Sequence, residues 1–246
     1  MNQHFLVIDI GNTNQKIAIY NAAEQLLSLQ QVPILTQDLL SEALTNFSIK
    51  AGIVSSVGRD NASLFDWLKT QIRLFTCCPE LELPIELCYH TPNTLGPDRI
   101  ANAVGANTLF PNQNVLSIQT GSCLVTDFVN AQNQYLGGTI APGLRMRFQS
   151  LPLLTAKLPL IEPHPIDFLI GKTTEESILS GVINGYAFEI DMLIQRYAEQ
   201  YSPLKVVMTG GDTPMLEGKL KNSIFAAPNL VLFGLYKILR LNATEI

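Results

Sequence analysis

Apolar residues along the chain fall into two spacings, one of strands and one of helices. Phe5 to Ile10 is apolar throughout except for Asp9, as expected of a strand covered on both faces. Gly11-Asn12-Thr13-Asn14 follows, a set of residues that tolerate turn geometry and offer backbone N–H groups. Gln15-Lys16-Ile17-Ala18-Ile19-Tyr20 then alternates as a second strand. Helical spacing appears at Asp38 to Ser48, with Leu39, Leu40, Ala43, Leu44 and Phe47 on one face. Ala51 to Val57 reads as a short buried strand, and Asn61 to Phe75 as a helix carrying Leu64, Trp67, Leu68 and Ile72. Cys77 to Glu86 is a Pro-rich connection to a short strand around Ile85 to Tyr89. Pro97 suits the first position of a helix, which places Asp98 and Arg99 in its first turn and Ile100, Ala103 and Val104 on its buried face.

Phe110-Pro111-Asn112-Gln113-Asn114 breaks this pattern and marks a domain boundary, giving domains 1–112 and 113–246. The second half opens like the first. Asn114 to Ile118 is a strand, Gly121-Ser122-Cys123 a tight turn, and Leu124 to Val129 a second strand. Ile8-Asp9-Ile10-Gly11-Asn12 aligns with Ile118-Gln119-Thr120-Gly121-Ser122, so one α/β unit is duplicated. Gly137 to Leu144 reads as a Gly- and Pro-punctuated loop entering a helix toward Leu151. Thr173 and Glu176 have capping-box spacing at the start of a long amphipathic helix, in which Gly181 and Gly185 permit close approach of another backbone. Lys205 to Met208 is a strand running into Thr209-Gly210-Gly211-Asp212, and Leu230 to Leu241 a closing helix. The whole predicts mixed sheets flanked by helices.

Composition narrows the function. The 246 residues are 47% hydrophobic and 15% charged, enough for large cores. A net charge of −5 and a pI near 5.2 lack the basic field that a nucleic-acid partner requires. No uninterrupted apolar run reaches the ~20 residues of a membrane span, and the N-terminus enters the first strand without a leader pattern, so a cytoplasmic protein is expected. Cys77, Cys78, Cys88 and Cys123 show no C-x-x-C spacing and His4, His90 and His164 are scattered, which argues against a sulfur or imidazole metal site and against a disulfide framework.

Three Gly-rich turns at strand ends, at Gly11, Gly121 and Gly210, could grip phosphates and a nucleoside in one cleft, although each is also an ordinary tight turn. Asp9 at the end of a buried strand is costly unless it meets a cation or hydrogen-bond donors; it suits a metal-bound phosphate, or it caps its own turn. Asp98 is a candidate base that the helix N-terminus should keep ionised, or else part of a favourable first turn with an exposed Arg99. There is no G-x-x-x-x-G-K-[S/T] and no G-x-G-x-x-G after the first strand.

Asp9 to Asn14, Gly96-Pro97-Asp98-Arg99-Ile100-Ala101-Asn102, Gly137 to Gly143, Gly171 to Glu175 and Thr209-Gly210-Gly211 together resemble the type III pantothenate kinases of the acetate and sugar kinase, Hsp70 and actin superfamily. The resemblance implies two duplicated ribonuclease H-like (actin-like ATPase) domains, an α/β fold, and ATP-dependent phosphorylation of pantothenate in the first step of coenzyme A synthesis. It implies that Asp9, Ile10, Gly11, Asn12, Thr13, Asn14, Gln15, Lys16 and Ser122 bind ATP, with Asp9 near Mg2+. By the same resemblance Asp98 is the base, and Tyr89, Gly96, Pro97, Arg99 and Thr174 bind pantothenate, Thr174 from the neighbour in a homodimer. Gln119 stands where the family has an aspartate that helps hold a monovalent cation, K+ or NH4+; its amide brings an oxygen but no charge. Two other readings share these residues: a superfamily kinase for another small hydroxyl compound, and a non-enzymatic regulator.

Overall fold

In the computed structural model the described residues are 3–11, 13–56, 61–216 and 218–243, so Asn12 and Val57 lie outside them. The chain forms two compact units, residues 1–109 with 230–246, and residues 110–229.

In the first unit, β1 (His4–Ile10) pairs antiparallel with β2 (Gln15–Asn21) from His4↔Asn21 to Ile10↔Gln15. The turn closes with the Gly11 N–H donating to the Asn14 carbonyl at 3.2 Å. β3 (Leu26–Val32) continues the antiparallel run, while β4 (Ile49–Ser56) and β5 (Arg73–Thr76) lie parallel on the other side, giving the order β3-β2-β1-β4-β5. The central position of β1 explains its apolar sequence. Leu6, Ile8 and Ile10 are fully buried against Leu40 of α1 (Gln37–Asn46) and Leu68 of α2 (Ala62–Gln71). Each such side chain contributes about 1.5–3 kcal/mol of transfer free energy. A two-residue strand, β6 (Glu86–Leu87), precedes α3 (Pro97–Leu109), which starts at Pro97 as the spacing predicts.

The second unit repeats the plan. β7 (Asn114–Thr120) pairs antiparallel with β8 (Cys123–Val129), and β8 with β9 (Gln134–Pro142); β10 (Leu204–Thr209) and β11 (Phe225–Ala226) run parallel beyond β7. The order β9-β8-β7-β10-β11 has the same senses as β3-β2-β1-β4-β5. β1 and β7 also share one burial sequence, with Asp9 and Gln119 as the half-buried penultimate residues. α4 (Leu144–Leu154), α5 (Thr174–Gln200) and the single turn α6 (Thr213–Leu216) cover this sheet. Ile178, Leu179, Ile183, Tyr186, Ile190 and Ile194 of α5 pack on Leu116, Ile118, Leu124 and Phe128. With 27 residues α5 is long and apolar enough to span a bilayer, but this side of it forms the core of the unit.

Three features differ from the expectation. The Gly137 to Pro142 segment is strand, not loop: a Cβ on Gly138 would lie 1.7 Å from the Thr126 carbonyl, so glycine marks a close backbone approach rather than a turn. β3 and β5 carry no clear alternation because both are mostly exposed or half-buried. The closing helix α7 (Leu230–Asn242) belongs to the first unit and not, as the 113–246 boundary implies, to the second. Its partner is α3, and the two backbones touch: a Cβ on Gly234 would sit 1.7 Å from the Ala101 carbonyl, and one on Gly105 2.6 Å from the Leu230 carbonyl. Tyr236 of α7 stacks on Tyr20 at 4.6 Å and donates to the Asn21 carbonyl at 3.0 Å, which ties α7 to β2.

Gly234→Ala should force α7 off α3 and lower unfolding free energy by roughly 1–3 kcal/mol. Urea unfolding measures this; an unchanged midpoint would show that the helices part without cost.

Candidate active site

Asp9 sits where β1 ends, opposite Lys16 on β2 and Ser55 on β4. Asp98 sits in the first turn of α3, where Gly96 lets the chain fold tightly. The Gly96 carbonyl accepts from the Arg99 and Ile100 amides at 3.0 and 3.1 Å, and a Cβ on Gly96 would lie 2.5 Å from Asp98 Oδ1. The fold brings the two carboxylates within range of each other's charge. Burial, then Asp98, push Asp9 up to about 6, against the opposing pull of Lys16 and the Ser55 hydroxyl. Asp9 Oδ1 is buried with no hydrogen-bond partner among the described residues.

Asp98 is raised as well. Burial outweighs its helix-terminal amides and the Arg99 charge, so the dipole does not hold it low as the sequence suggests. Arg99 is not an exposed charge: it is 7% exposed, with its guanidinium 5.9 Å from the Tyr89 ring centroid. Cys77, without a signal in the sequence, completes the group. Its thiol donates to the Pro97 carbonyl at 3.6 Å, and burial, Cys78 and both carboxylates push it up to about 12.

Around this pair, Gly11 is half-buried and Thr13 and Asn14 are exposed at the hairpin tip. Gln15 is buried, with its Oε1 accepting from the Leu35 amide, and Ile10 is in the core. Asn12 lies outside the described residues.

The second unit gathers two of the three Gly-rich turns. Gly210 has φ +111°, and a Cβ there would lie 2.0 Å from the Thr120 carbonyl, so the turn after β10 is pressed onto the end of β7. The Thr120 hydroxyl donates to the Thr209 carbonyl at 3.1 Å. Gln119 lies between Val125 and Thr209 in register, its Oε1 buried without a partner among the described residues. Ser122 is exposed at the hairpin tip. An apolar pocket of about 430 Å³ opens beside Gly210, lined by Met208, Thr213, Leu216, Ile224 and Ala227. Apart from Met208, expected on a strand, these lining residues carry no signal in the sequence. Thr174 is the exposed first residue of α5, after Thr173, which caps the helix by accepting from Glu176 N–H at 3.1 Å.

Among the described residues no group of three or more His, Cys, Asp or Glu converges as a metal cage. A magnesium ion fits differently: one unpartnered carboxylate oxygen on Asp9 beside a second carboxylate suits a hard ion whose other ligands are phosphate oxygens and water.

Folding lifts Asp9 from 3.8 to about 6, so the folded chain binds that proton more tightly than the unfolded chain. The stability linked to Asp9 is therefore full at the acid end, falls as pH rises through that window, and stays low above it. Asp9→Asn should be more stable than the natural chain by roughly 3 kcal/mol near neutral pH and lose that advantage in acid. Urea unfolding across pH checks this; a pH-independent difference would contradict it.

The family profile described as type III pantothenate kinase matches residues 5–196. The type III pantothenate kinase of Christiangramia forsetii is 41% identical over 98% of this chain and 99% of its own. That of Cytophaga hutchinsonii is 39% identical over 96% and 99%. Among solved structures, the activator of 2-hydroxyisocaproyl-CoA dehydratase from Clostridium difficile, with bound ADPNP, superposes with a TM-score of 0.57 at 15% identity. That match covers 100% of this chain and 97% of the other, and shows a shared actin-like ATPase fold. With the profile spanning most of its length and relatives near 40% identity end to end, the chain belongs to the type III pantothenate kinase family.

Proposed function

We propose that the Asp9–Asp98 pair carries the reaction of this family in this chain, phosphoryl transfer from ATP to the pantothenate hydroxyl. The observation that carries this reading is the pairing itself: one carboxylate ends a strand, the other opens a helix, and burial raises both. Asp98 receives the hydroxyl proton as the pantothenate oxygen bonds to the γ-phosphorus and the bond to ADP breaks. Its raised pKa brings it nearer to the pH at which it works, so it accepts that proton more readily than a surface aspartate. Positioning and charge supply most of the catalysis in phosphoryl transfer.

The hairpin from Asp9 to Lys16, with Ile10, Gly11, Asn12, Thr13, Asn14 and Gln15, holds phosphates. Gly11 and the tip residues offer backbone, Lys16 offers charge, and Gln15 and Ile10 serve from within by fixing the strand pair. Bound magnesium supplies neutralisation of phosphate charge, with Asp9 as its protein ligand. Arg99, held by Tyr89, meets the carboxylate of pantothenate, and Gly96 and Pro97 shape the start of that site.

The second unit brings Ser122 to a phosphate and the apolar pocket beside Gly210 to the nucleoside. Gln119 presents a lone neutral oxygen, so the need for K+ or NH4+ is weaker than an aspartate would create. The enzyme is a homodimer. Ser177, Gly181, Gly185, Phe188 and Met192 form one exposed stripe on α5, where nothing lies within 4 Å of a Cβ on either glycine. Thr174 begins the same helix and reaches the neighbour's pantothenate. Free cysteines and an ATP substrate suit the cytoplasm.

Purified protein with ATP, magnesium and pantothenate should yield 4′-phosphopantothenate, and Asp98→Asn should lose on the order of 10²–10⁴-fold in kcat with an unchanged far-UV spectrum. Absence of that product sinks the pantothenate reading. Run with and without K+, the natural enzyme should respond less than Gln119→Asp; equal responses would remove position 119 from the cation question. Phe188→Asp should convert a dimer to a monomer in sedimentation and depress activity, whereas an unaltered mass would exclude this stripe as the interface.

A further inference from the structure

The apolar pocket beside Gly210 has one wall built mostly from irregular chain. Between α6 and β11 the segment 218–224 forms neither helix nor strand, yet every second residue from Gly218 to Ala226 lines the pocket. Leu220 and Ile224 are apolar and pack on the core of the unit. Asn222 lies between them, so an amide interrupts the wall at its middle. This segment falls beyond residues 5–196, the part of the chain that the family profile matches.

Both ends of the wall are fixed. The Lys219 N–H donates to the Leu216 carbonyl at 3.0 Å, and the Ala227 N–H donates to the Met208 carbonyl at 2.8 Å, where β11 meets β10. The middle is fixed by Asp191 of α5. Each oxygen of its carboxylate accepts from the Lys221 N–H at 3.0 Å, and Oδ1 also accepts from the Asn222 N–H at 3.2 Å.

The side chain of Asn222 completes the clamp. Its Nδ2 donates to Asp191 Oδ1 at 2.8 Å and to the Asp191 main-chain carbonyl at 3.2 Å. A carboxylate and a carbonyl only accept, so these partners settle which end of the amide is nitrogen. The nitrogen is thereby committed to Asp191, while Asn222 Oδ1 accepts from no described residue. Thr213 brings the other polar side chain of the lining, and its hydroxyl is paired with that of Thr120 at 3.0 Å. An amide oxygen accepts and does not donate, so an N–H group of the ligand is what it matches. On the flat ring of a base, that group is the exocyclic amino group.

We infer that Asn222 is a specificity-determining residue for the nucleotide and Asp191 its positioning residue. The Asn222 amide oxygen accepts a hydrogen bond from the amino group of adenine and so favours ATP over a nucleotide whose base lacks that group. This rests on the nucleoside role proposed above for the pocket. Asp191 touches no substrate; it holds the amide in the one orientation that leaves the oxygen open.

Titration of the full chain with ATP and with purine riboside triphosphate, which has hydrogen in place of the amino group, tests this. Magnesium is present and pantothenate absent, so that no transfer occurs. In the natural protein Kd should be about tenfold lower for ATP, the worth of one hydrogen bond left unmade by the analogue. In Asn222→Leu, which keeps the bulk and loses the acceptor, the two Kd values should come within about twofold of each other. Asp191→Ala frees the amide and should leave a ratio of about threefold. The ratio is taken within one protein, so a general loosening of the wall cancels and a merely structural Asp191 would not move it. Hydrogen exchange locates the nucleotide, and ATP should protect the amides of residues 220–227. If ATP protects none of them, the nucleoside reading of the pocket falls and the inference with it. If they are protected and the natural protein holds both nucleotides equally, the inference alone falls. It falls as well if Asn222→Leu keeps the tenfold preference, and an unchanged ratio in Asp191→Ala overturns the positioning role. Should Asn222→Leu fail to fold, Asn222→Ala is read in its place.

Discussion

Two carboxylates in one folded unit, both with a proton affinity raised by burial, are the constraint on which the rest of this structure turns. Asp9 and Asp98 are held together although burial and like charge both oppose it. Something must therefore prevent their separation. Asp9 is fixed by its strand, paired on both sides and anchored by Leu6, Ile8 and Ile10. Asp98 is fixed by α3, whose start is tied through the Cys77 thiol to Pro97 and whose body presses on α7 through Gly105 and Gly234. Stability lost at the carboxylates is offset by the apolar packing of β1 and by the contact of α3 with α7. Such a trade is expected where function needs a charge that folding does not.

The duplication shows how one scaffold holds two different side chains at the same place. β1 and β7 occupy the same place in their sheets and share one burial sequence, yet the penultimate residue is Asp9 in one and Gln119 in the other. Strand order and burial preserve the position, and the side chain sets its charge. In the first unit the charge meets a helix carrying a second acid. In the second, the neutral amide sits beside backbone-rich turns.

Much of this was legible in the sequence, and what was not has definite causes. The central hairpins, the Pro97 helix start and the Thr173 cap were all readable because each rests on local chemistry: a buried strand, a fixed φ, a side-chain oxygen three residues before an amide. β3 was hidden because an edge strand that is mostly exposed needs no alternation. β9 was hidden because Gly137 and Gly138 look like a turn, whereas Gly138 is there to let the Thr126 backbone approach. The proton affinity of Asp98 is higher than its first-turn place suggests for a related reason: its helix-terminal amides are visible in sequence, but the burial that outweighs them is not.

The place of α7 has a consequence for how the chain is made. The helix that carries Asp98 is completed by residues 230–242, which leave the ribosome after the whole intervening unit has been synthesised. Until then Ala101 and Gly105 face no partner, and the apolar side of α3 waits uncovered. A chain that stops short of Leu230 can fold its second unit, which is contiguous, but not the packing that holds the acid pair. The packing that holds the acid pair thus waits for residues that follow the whole second unit in the chain.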